Sequence, residues 1–299
     1  MLNSFDRFFV FAGLLSFAIP AIGFAQMVNN KEGKAFENPI TFNRSFIWEN
    51  KILSIQENIL VKMPGRPIDD LEQEILYKFG NTGILESKTT ISPKNYERDT
   101  TSILFKRNDV GQLFTVESKN AQETTITTHA YDSNGKLIRQ DTKQIVGGNN
   151  SPDRREILVE TNSFEYQFPK PNLVVRNNIN NYGLTYSTFT TERNDQGFLI
   201  KETEEYLISK RMIEANYRYN ERGWVMEVIR TDNQSQEIEK VTYEYDKIGN
   251  VIFAKKFINN TPVEEYEVLY QNASLVKAIL HQDISSQMIT IHKYEYQLR

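Results

Sequence analysis

The feature that most constrains the fold is a short turn that recurs along the chain. Eight seven-residue segments align on their fifth position, which is Gly in six of them, Asn in one and Ser in one. Successive fifth positions lie 24 to 37 residues apart, with five of the seven steps between 24 and 26. A fixed period of about 25 residues predicts a repeat protein. The segments, each with its fifth residue, are FGNTGIL (Gly83), RNDVGQL (Gly111), YDSNGKL (Gly135), FPKPNLV (Asn172), RNDQGFL (Gly197), YNERGWV (Gly223), YDKIGNV (Gly249) and YQNASLV (Ser274).

The residues around the fifth position explain why these segments turn. Leu or Val follows it by two residues in all eight segments, an aromatic residue precedes it by four in six, and Asp or Asn precedes it by three in five. Asp and Asn open turns because their side chains accept hydrogen bonds from nearby backbone N–H groups. The fifth residue must often enter the left-handed region, which glycine does at no steric cost and Asn does next best. Each segment therefore predicts a tight hairpin turn.

The sequence on either side of each turn alternates as β-strands do. Before Gly249, residues Val241, Tyr243 and Tyr245 share one face, while Thr242 and Glu244 share the other. A second polar turn follows after about seven to ten residues, so each period is one β-hairpin. Repetition predicts an all-β fold of about 16 strands: an extended antiparallel meander of hairpins that forms a twisted or coiled, solenoid-like sheet.

The chain divides into three predicted parts. A charged start, an apolar run and small residues at Gly23 and Ala25 indicate a secretory signal peptide over residues 1–25. Residues 26–76 fit the repeat poorly and are expected to supply leading strands and a cap, with a short helix begun by Asp69. Residues 77–299 form the repeat domain, and the Gly/Asn/Pro-rich stretch 146–153 is interpreted as a surface loop insertion.

Composition excludes several classes of protein. The sequence has no cysteine, so disulfides, thiolate metal sites, cysteine nucleophiles and lipid attachment at a cysteine are all excluded. The net charge of −4, from 35 basic and 39 acidic residues without a basic stripe, predicts no nucleic-acid partner. Hydrophobic residues make up only 39% of the chain, which favours thin, hydrated β-sheets over a thick core.

The pattern Tyr-Asp-x-x-Gly-x-Leu at this period resembles the YD repeats of RHS-type bacterial secreted proteins. The clearest matches are YDSNGKL around Gly135 and YEYDKIGNV around Gly249, and the likeness extends from about Tyr77 onward. The resemblance implies an exported β-repeat protein, and in large RHS proteins such repeats wind into a hollow shell around a toxic domain. This sequence has too few repeats for a large shell and lacks an Asp-Pro-x-Gly segment, so we do not expect toxin encapsulation.

Residues that carry catalysis or bind metals are sparse. The only histidines are His129, His281 and His292, and no metalloprotease, serine-hydrolase or phosphate-binding motif is present. Adjacent acids such as Glu204 and Glu205 point to opposite faces of a strand, so they do not form a catalytic pair. The sequence predicts no catalytic, cofactor-binding or metal site and no cofactor, and the chain is not expected to be an enzyme.

These observations favour a non-catalytic exported protein with a structural or binding role at the bacterial cell envelope, periplasmic or extracellular. Its expected partner is an envelope protein, peptidoglycan or another glycan, with no membrane span once the signal peptide is removed. Trp224, Tyr217 and Tyr219 are candidates for stacking on sugars, although cross-strand packing explains them better.

Two alternatives remain. An outer-membrane β-barrel fits the signal peptide and the hairpins, but charges such as Lys255 and Lys256 fall on both strand faces. A carbohydrate-active hydrolase would need two convergent acids from different strands.

Overall fold

The computed structural model describes residues 26–36, 41–94, 97–146, 155–272 and 274–299. The predicted signal peptide 1–25 and all of the predicted loop except Val146 lie outside these residues. None of the helices within them is long and apolar enough to cross a membrane. The elements are α1 (Arg44–Glu49), β1 (Ile52–Lys62), β2 (Ile68–Phe79), β3 (Leu85–Lys94), β4 (Glu97–Arg107), β5 (Leu113–Lys119), β6 (Thr124–Tyr131), β7 (Leu137–Val146), β8 (Arg155–Lys170), β9 (Leu173–Ile179), β10 (Thr185–Arg193), β11 (Leu199–Tyr206), β12 (Met212–Tyr219), β13 (Val225–Asp232), β14 (Ile238–Tyr245), β15 (Val251–Ile258), β16 (Thr261–Gln271), β17 (Leu275–Asp283) and β18 (Ile289–Leu298).

The strands form one closed antiparallel barrel. Each strand pairs with the next along the chain, and β1 pairs with both β2 and β18, so the sheet has no free edge. The closing register places Gln56 opposite Glu295 and Asn58 opposite Lys293. Closure satisfies the backbone groups that an open edge would leave unpaired.

The prediction of an extended, solenoid-like sheet is therefore wrong, although the all-β class and the antiparallel hairpins are present. The eight aligned turns join 16 strands as predicted, and β1 and β18 complete a ring of 18. The repeat pattern specifies pairing between neighbours, which is the same in an open and a closed sheet. Closure depends on pairing between strands more than 200 residues apart, which no local pattern encodes.

The predicted turn chemistry is confirmed at Asp132. Its side-chain Oδ1 accepts hydrogen bonds from the backbone N–H groups of Asn134 (2.9 Å) and Lys136 (2.8 Å). Gly135 has a φ of +79° and donates its N–H to the carbonyl oxygen of Asp132 at 3.0 Å. All eight aligned turns connect an even-numbered strand to the next strand, so they lie at the same end of the barrel, called here the glycine-turn end.

The short helix predicted to begin at Asp69 is absent. This stretch belongs to β2, which pairs with β1 on one side and β3 on the other, so sheet pairing overrides the local helical signal. The helix that does form is α1, where the Asn43 side chain accepts a hydrogen bond from the N–H of Ser45 at 3.0 Å. An Asn at this position is a favoured N-cap.

The described residues before β1, 26–36 and 41–51, are called here the N-terminal segment, and they pack against the inner face of the barrel. Met27, Val28 and Ile47 are fully or almost fully buried there. They contribute to an apolar cluster with residues from β1, β2, β16, β17 and β18. Phe36 also touches a second cluster formed by β11 to β15. The barrel therefore has an apolar core where this segment fills its lumen.

Candidate functional site

Inward-facing tyrosines connect most repeats to the one before. The hydroxyl of Tyr245 donates a hydrogen bond to the carbonyl oxygen of Val225 at 2.7 Å, and Tyr219 does the same to Leu199 at 2.8 Å. In both pairs the acceptor is the Leu or Val two residues after the aligned position of the preceding turn. Tyr131, Tyr166, Tyr270 and Tyr296 make equivalent bonds to Leu113, Leu137, Val251 and Val276.

The three aromatic candidates for sugar stacking do not form one exposed surface. Tyr217 is buried, and its hydroxyl donates to Glu202 at 2.5 Å. The Tyr219 ring packs against Phe198 at a centroid distance of 4.9 Å. Trp224 packs against Tyr245, with ring centroids 5.2 Å apart. The cross-strand packing interpretation accounts for all three side chains.

The N-terminal segment fills the lumen near the glycine-turn end. The side-chain amide of Gln26 donates to the carbonyl oxygen of Gly249, and Nε of Arg44 donates to the carbonyl oxygen of Thr82 at 3.2 Å. Both acceptors belong to aligned turns. Deeper in the lumen, the hydroxyl of Tyr243 donates to the carbonyl oxygen of Gly33 at 2.5 Å. Segment and wall are therefore joined by hydrogen bonds as well as by apolar contacts.

A cavity of about 410 Å³ lies inside the barrel beside this segment. Its volume is within the range of about 300 to 1,000 Å³ that is usual for small-molecule sites. Apolar and aromatic residues form one part of its lining, and polar and charged residues form the other. The first group is Phe36, Ile59, Ile75, Tyr77, Tyr266 and Ile279, and the second is Glu57, Gln73, Lys88, Thr90, His281 and His292.

Glu57 is a buried carboxylate with both oxygens engaged. It is only 2% exposed, its Oε2 accepts a hydrogen bond from the hydroxyl of Tyr77 at 2.8 Å, and its Oε1 lies 2.6 Å from Nδ1 of His292. Burial, with a further contribution from Glu57, raises the pKa of Tyr77 well above its usual value. A buried charge is stable only when it is paired and hydrogen-bonded in this way.

A stack of three rings lines another side of the cavity. The Tyr266 ring lies 4.6 Å from Phe36 of the N-terminal segment and 4.4 Å from the imidazole of His281, centroid to centroid. The Tyr266 hydroxyl donates to Glu264 at 2.6 Å, and Nε2 of His281 lies 3.3 Å from the same carboxylate. The segment thus helps to build the cavity wall.

Two of the three histidines meet at the cavity, and the third does not. His281 and His292 line it, whereas His129 on β6 lies elsewhere and has its pKa lowered by burial. Within the described ranges, no group of three or more His, Cys, Asp or Glu side chains could hold a metal ion. Neither Glu57 nor Lys88 was predicted from the sequence to be a site residue. Inward placement on strands was the available signal, but it applies equally to many other polar residues.

The outer wall carries cross-strand ion pairs. Lys255 Nζ lies 2.5 Å from Glu265, and Lys201 Nζ lies 2.6 Å from Glu214. Lys255 follows the buried Ala254 in its strand, so the two side chains point to opposite faces. The pairs Lys106–Glu117 and Arg218–Glu227 flank inward-facing residues in the same way.

Comparisons with known proteins give no family. No family model matches the chain, and no curated protein matches it. Solved structures with some likeness include a porin-like protein from Bacteroides uniformis, with 11% identity, a TM-score of 0.41, and coverage of 83% of this chain and 97% of that one. A porin-like protein from Bacteroides vulgatus has 9% identity, a TM-score of 0.30, and coverage of 70% and 97%. TcdB2–TccC3 without its hypervariable C-terminal region has 15% identity, a TM-score of 0.31, and coverage of 75% and 12%.

The fold and the lumen define the chain as a closed 18-stranded antiparallel β-barrel with an internal N-terminal segment. Closure is the feature that the outer-membrane barrel alternative requires, so the architecture supports that alternative over an open sheet at the envelope. The resemblance to RHS-type YD repeats stays a prediction, because no family model matches the chain.

Proposed function

We propose that the chain is an exported, non-catalytic β-barrel of the bacterial cell envelope. Its outer face is exposed to water, and its lumen binds a ligand. The observation that carries this proposal is the charged outer wall. Closure alone would suit either a lipid or an aqueous surrounding, so the proposal rests on the chemistry of the outward side chains.

One outward ion pair lies where a membrane barrel would meet the middle of the hydrocarbon. Its Lys255 is near the middle of the eight-residue strand β15, whereas Lys201 and Arg218 lie nearer the glycine-turn end of strands of the same length. A Lys or Arg on the lipid face at the bilayer midplane costs about 2 to 4 kcal/mol. In water each of these ion pairs contributes only about 0 to 1 kcal/mol to stability. The wall composition therefore favours an aqueous surrounding.

The filled lumen favours binding over permeation. A barrel of 18 strands is wide enough for an aqueous channel when it is empty. Here Met27, Phe36 and Ile47 of the N-terminal segment occupy part of that space. What remains beside the segment is a cavity lined by both apolar and charged groups, and such mixed linings suit small ligands. An envelope protein, peptidoglycan or another glycan stays the expected partner for the outer surface.

The second candidate is an outer-membrane barrel, which the closed sheet favours. It would require the outward charges to lie outside the hydrocarbon. This is difficult for strands β11 to β15, because they have only eight residues each. Transmembrane β-strands usually need about 9 to 11 residues.

Behaviour of residues 26–299 without detergent tests the proposal. The proposal predicts a monodisperse species in aqueous buffer that stays in the dense fraction when it is floated with lipid vesicles. A matched variant with Lys255→Leu and Glu265→Leu should lose solubility, because it replaces a charged pair by apolar surface. If the unmodified chain is soluble only in detergent and floats with the vesicles, the outer-membrane barrel is correct instead.

A further inference from the structure

We infer that the lumen cavity binds a small amphipathic organic anion, in which a carboxylate, sulfonate or phosphate group pairs with Lys88 and an apolar body lies against the isoleucines. This inference rests on the proposed function as a lumen-binding barrel and specifies its ligand class.

Lys88 supplies a positive charge that forms no ion pair with a carboxylate of the described residues. Its side chain points inward from β3, opposite Tyr77, and Nζ lies 5.8 Å from the centre of the Tyr77 ring. Within the described part of the chain, no carboxylate lies in ion-pair distance of this ammonium and no hydrogen bond engages it. Burial lowers the pKa of Lys88, and the charge of Glu57 offsets only part of this effect.

The carboxylate that could neutralise Lys88, that of Glu57, is already engaged by other side chains. Glu57 influences Lys88 electrostatically, but its two oxygens are committed to Tyr77 and His292. The cavity therefore holds a carboxylate with both oxygens hydrogen-bonded and an ammonium that Glu57 compensates only in part. That asymmetry favours an anionic ligand, because a charge-assisted contact to Lys88 would compensate its desolvation.

Two neutral polar side chains line the same cavity as Lys88 and can add contacts to an anion. Thr90 lies two residues along the same inward face of β3, and Gln73 lies on the inward face of β2. Among the described residues, neither side chain has a hydrogen-bond partner. A hydroxyl and an amide in the same cavity as the ammonium can donate to the several oxygens of a carboxylate, sulfonate or phosphate.

The rest of the cavity suits an apolar body. Ile59, Ile75 and Ile279 are each at least nine-tenths buried and contribute their side chains to the lining. Phe36 adds an aromatic ring from the N-terminal segment. A purely inorganic anion would leave this surface uncovered, whereas an amphipathic one would bury its apolar part against it.

Titration with 1-anilinonaphthalene-8-sulfonate, an aromatic sulfonate whose fluorescence rises in apolar sites, tests the inference on residues 26–299. We expect saturable one-to-one binding that Lys88→Gln weakens about tenfold or more and that Lys88→Arg largely retains. Lys293→Gln is the matched control, because Lys293 is an exposed lysine whose contact is Glu295 on the same strand. Melting curves confirm that each variant is folded.

Competition separates charge recognition from apolar contact. Octanoate should displace the probe at much lower concentration than octanamide, which has the same chain without the charge, and inorganic phosphate alone should compete weakly. Equal binding by Lys88→Gln and the unmodified chain, or equal competition by the acid and the amide, would overturn the inference while leaving a soluble lumen-binding barrel in place. A chain that needs detergent would instead overturn the proposed function itself.

Discussion

The hydroxyl of Tyr270 donates a hydrogen bond to the carbonyl oxygen of Val251 across 2.8 Å. Tyr270 precedes the aligned position of its own turn by four residues, and Val251 follows that of the preceding turn by two. The same relationship recurs at Tyr219 and Leu199. Where the aromatic position of the repeat is a tyrosine, its hydroxyl therefore joins successive hairpins.

Tyr270→Phe tests the contribution of this bond. Loss of the hydroxyl removes one buried hydrogen bond at nearly constant volume, so the free energy of unfolding should fall by about 0.5 to 1.5 kcal/mol. Tyr182→Phe is the control, because Tyr182 is 80% exposed and should change stability very little. Urea unfolding measures both, and an equal effect of the two substitutions would contradict a structural role for the repeated tyrosine.

A pair of glycines separates backbone strain from crowding. Gly111 and Gly249 both have positive φ, +84° and +98°, so alanine at either should cost about 1 to 2 kcal/mol. A Cβ at Gly111 would meet open space, whereas one at Gly249 would lie 2.7 Å from Cζ2 of Trp224. Gly249→Ala should therefore lose a further 1 to 3 kcal/mol, roughly, through overpacking. Equal losses in thermal or urea unfolding would argue against the packing of Trp224 described above.

Alkaline titration tests the environment of Tyr219. Burial, with a smaller contribution from Glu32, raises the pKa of Tyr219 to about 12 from its usual value of 10.0. Because the folded chain holds this proton more tightly, the associated stability is present below about pH 10 and is lost as the pH rises to about 12. The tyrosinate absorbance that Tyr219→Phe removes, recorded directly after a pH jump, should appear near pH 12. A midpoint near pH 10 would show that the ring is solvated.

The N-terminal segment should contribute strongly to stability. Ile47 is fully buried in the apolar cluster, so Ile47→Ala should lower the free energy of unfolding by about 2 to 5 kcal/mol. Glu49→Ala in the same helix is the matched control, because Glu49 is exposed. If both variants unfold alike, the segment does not pack inside the barrel as described.

The repeat was predictable from sequence because its chemistry is local. Asp132, Gly135 and Leu137 lie within six residues, and their side chains directly determine a turn and the strands beside it. Closure was not predictable, because it depends on pairing between β1 and β18, and neither strand adjoins an aligned turn. The helix predicted at Asp69 failed for a related reason, since two neighbouring strands hold that stretch extended.

The candidate site was less accessible than the fold. Lys88 and Glu57 belong to different strands, and their relation appears only once β1, β2 and β3 are paired in register. The sequence offers Trp224, Tyr217 and Tyr219 as candidates for stacking on sugars, yet their environments are those of packed wall residues. Alternation could assign faces to strands, but it could not show which inward charges lack a partner.

Closure of the barrel is the central claim, and a cross-link between β1 and β18 tests it most directly. The chain has no cysteine, so Asn58→Cys with Lys293→Cys introduces a single pair at positions that face each other in the closing register. Paired antiparallel strands bring such residues to about 4.5 to 5.5 Å between Cα atoms, within the range for a disulfide. Asn58→Cys with Lys240→Cys, on β14, is the control, because β1 and β14 are not neighbours. The closed barrel predicts a nearly complete intramolecular disulfide in the first variant and none in the second, whereas an open sheet would leave both pairs reduced or linked only between molecules.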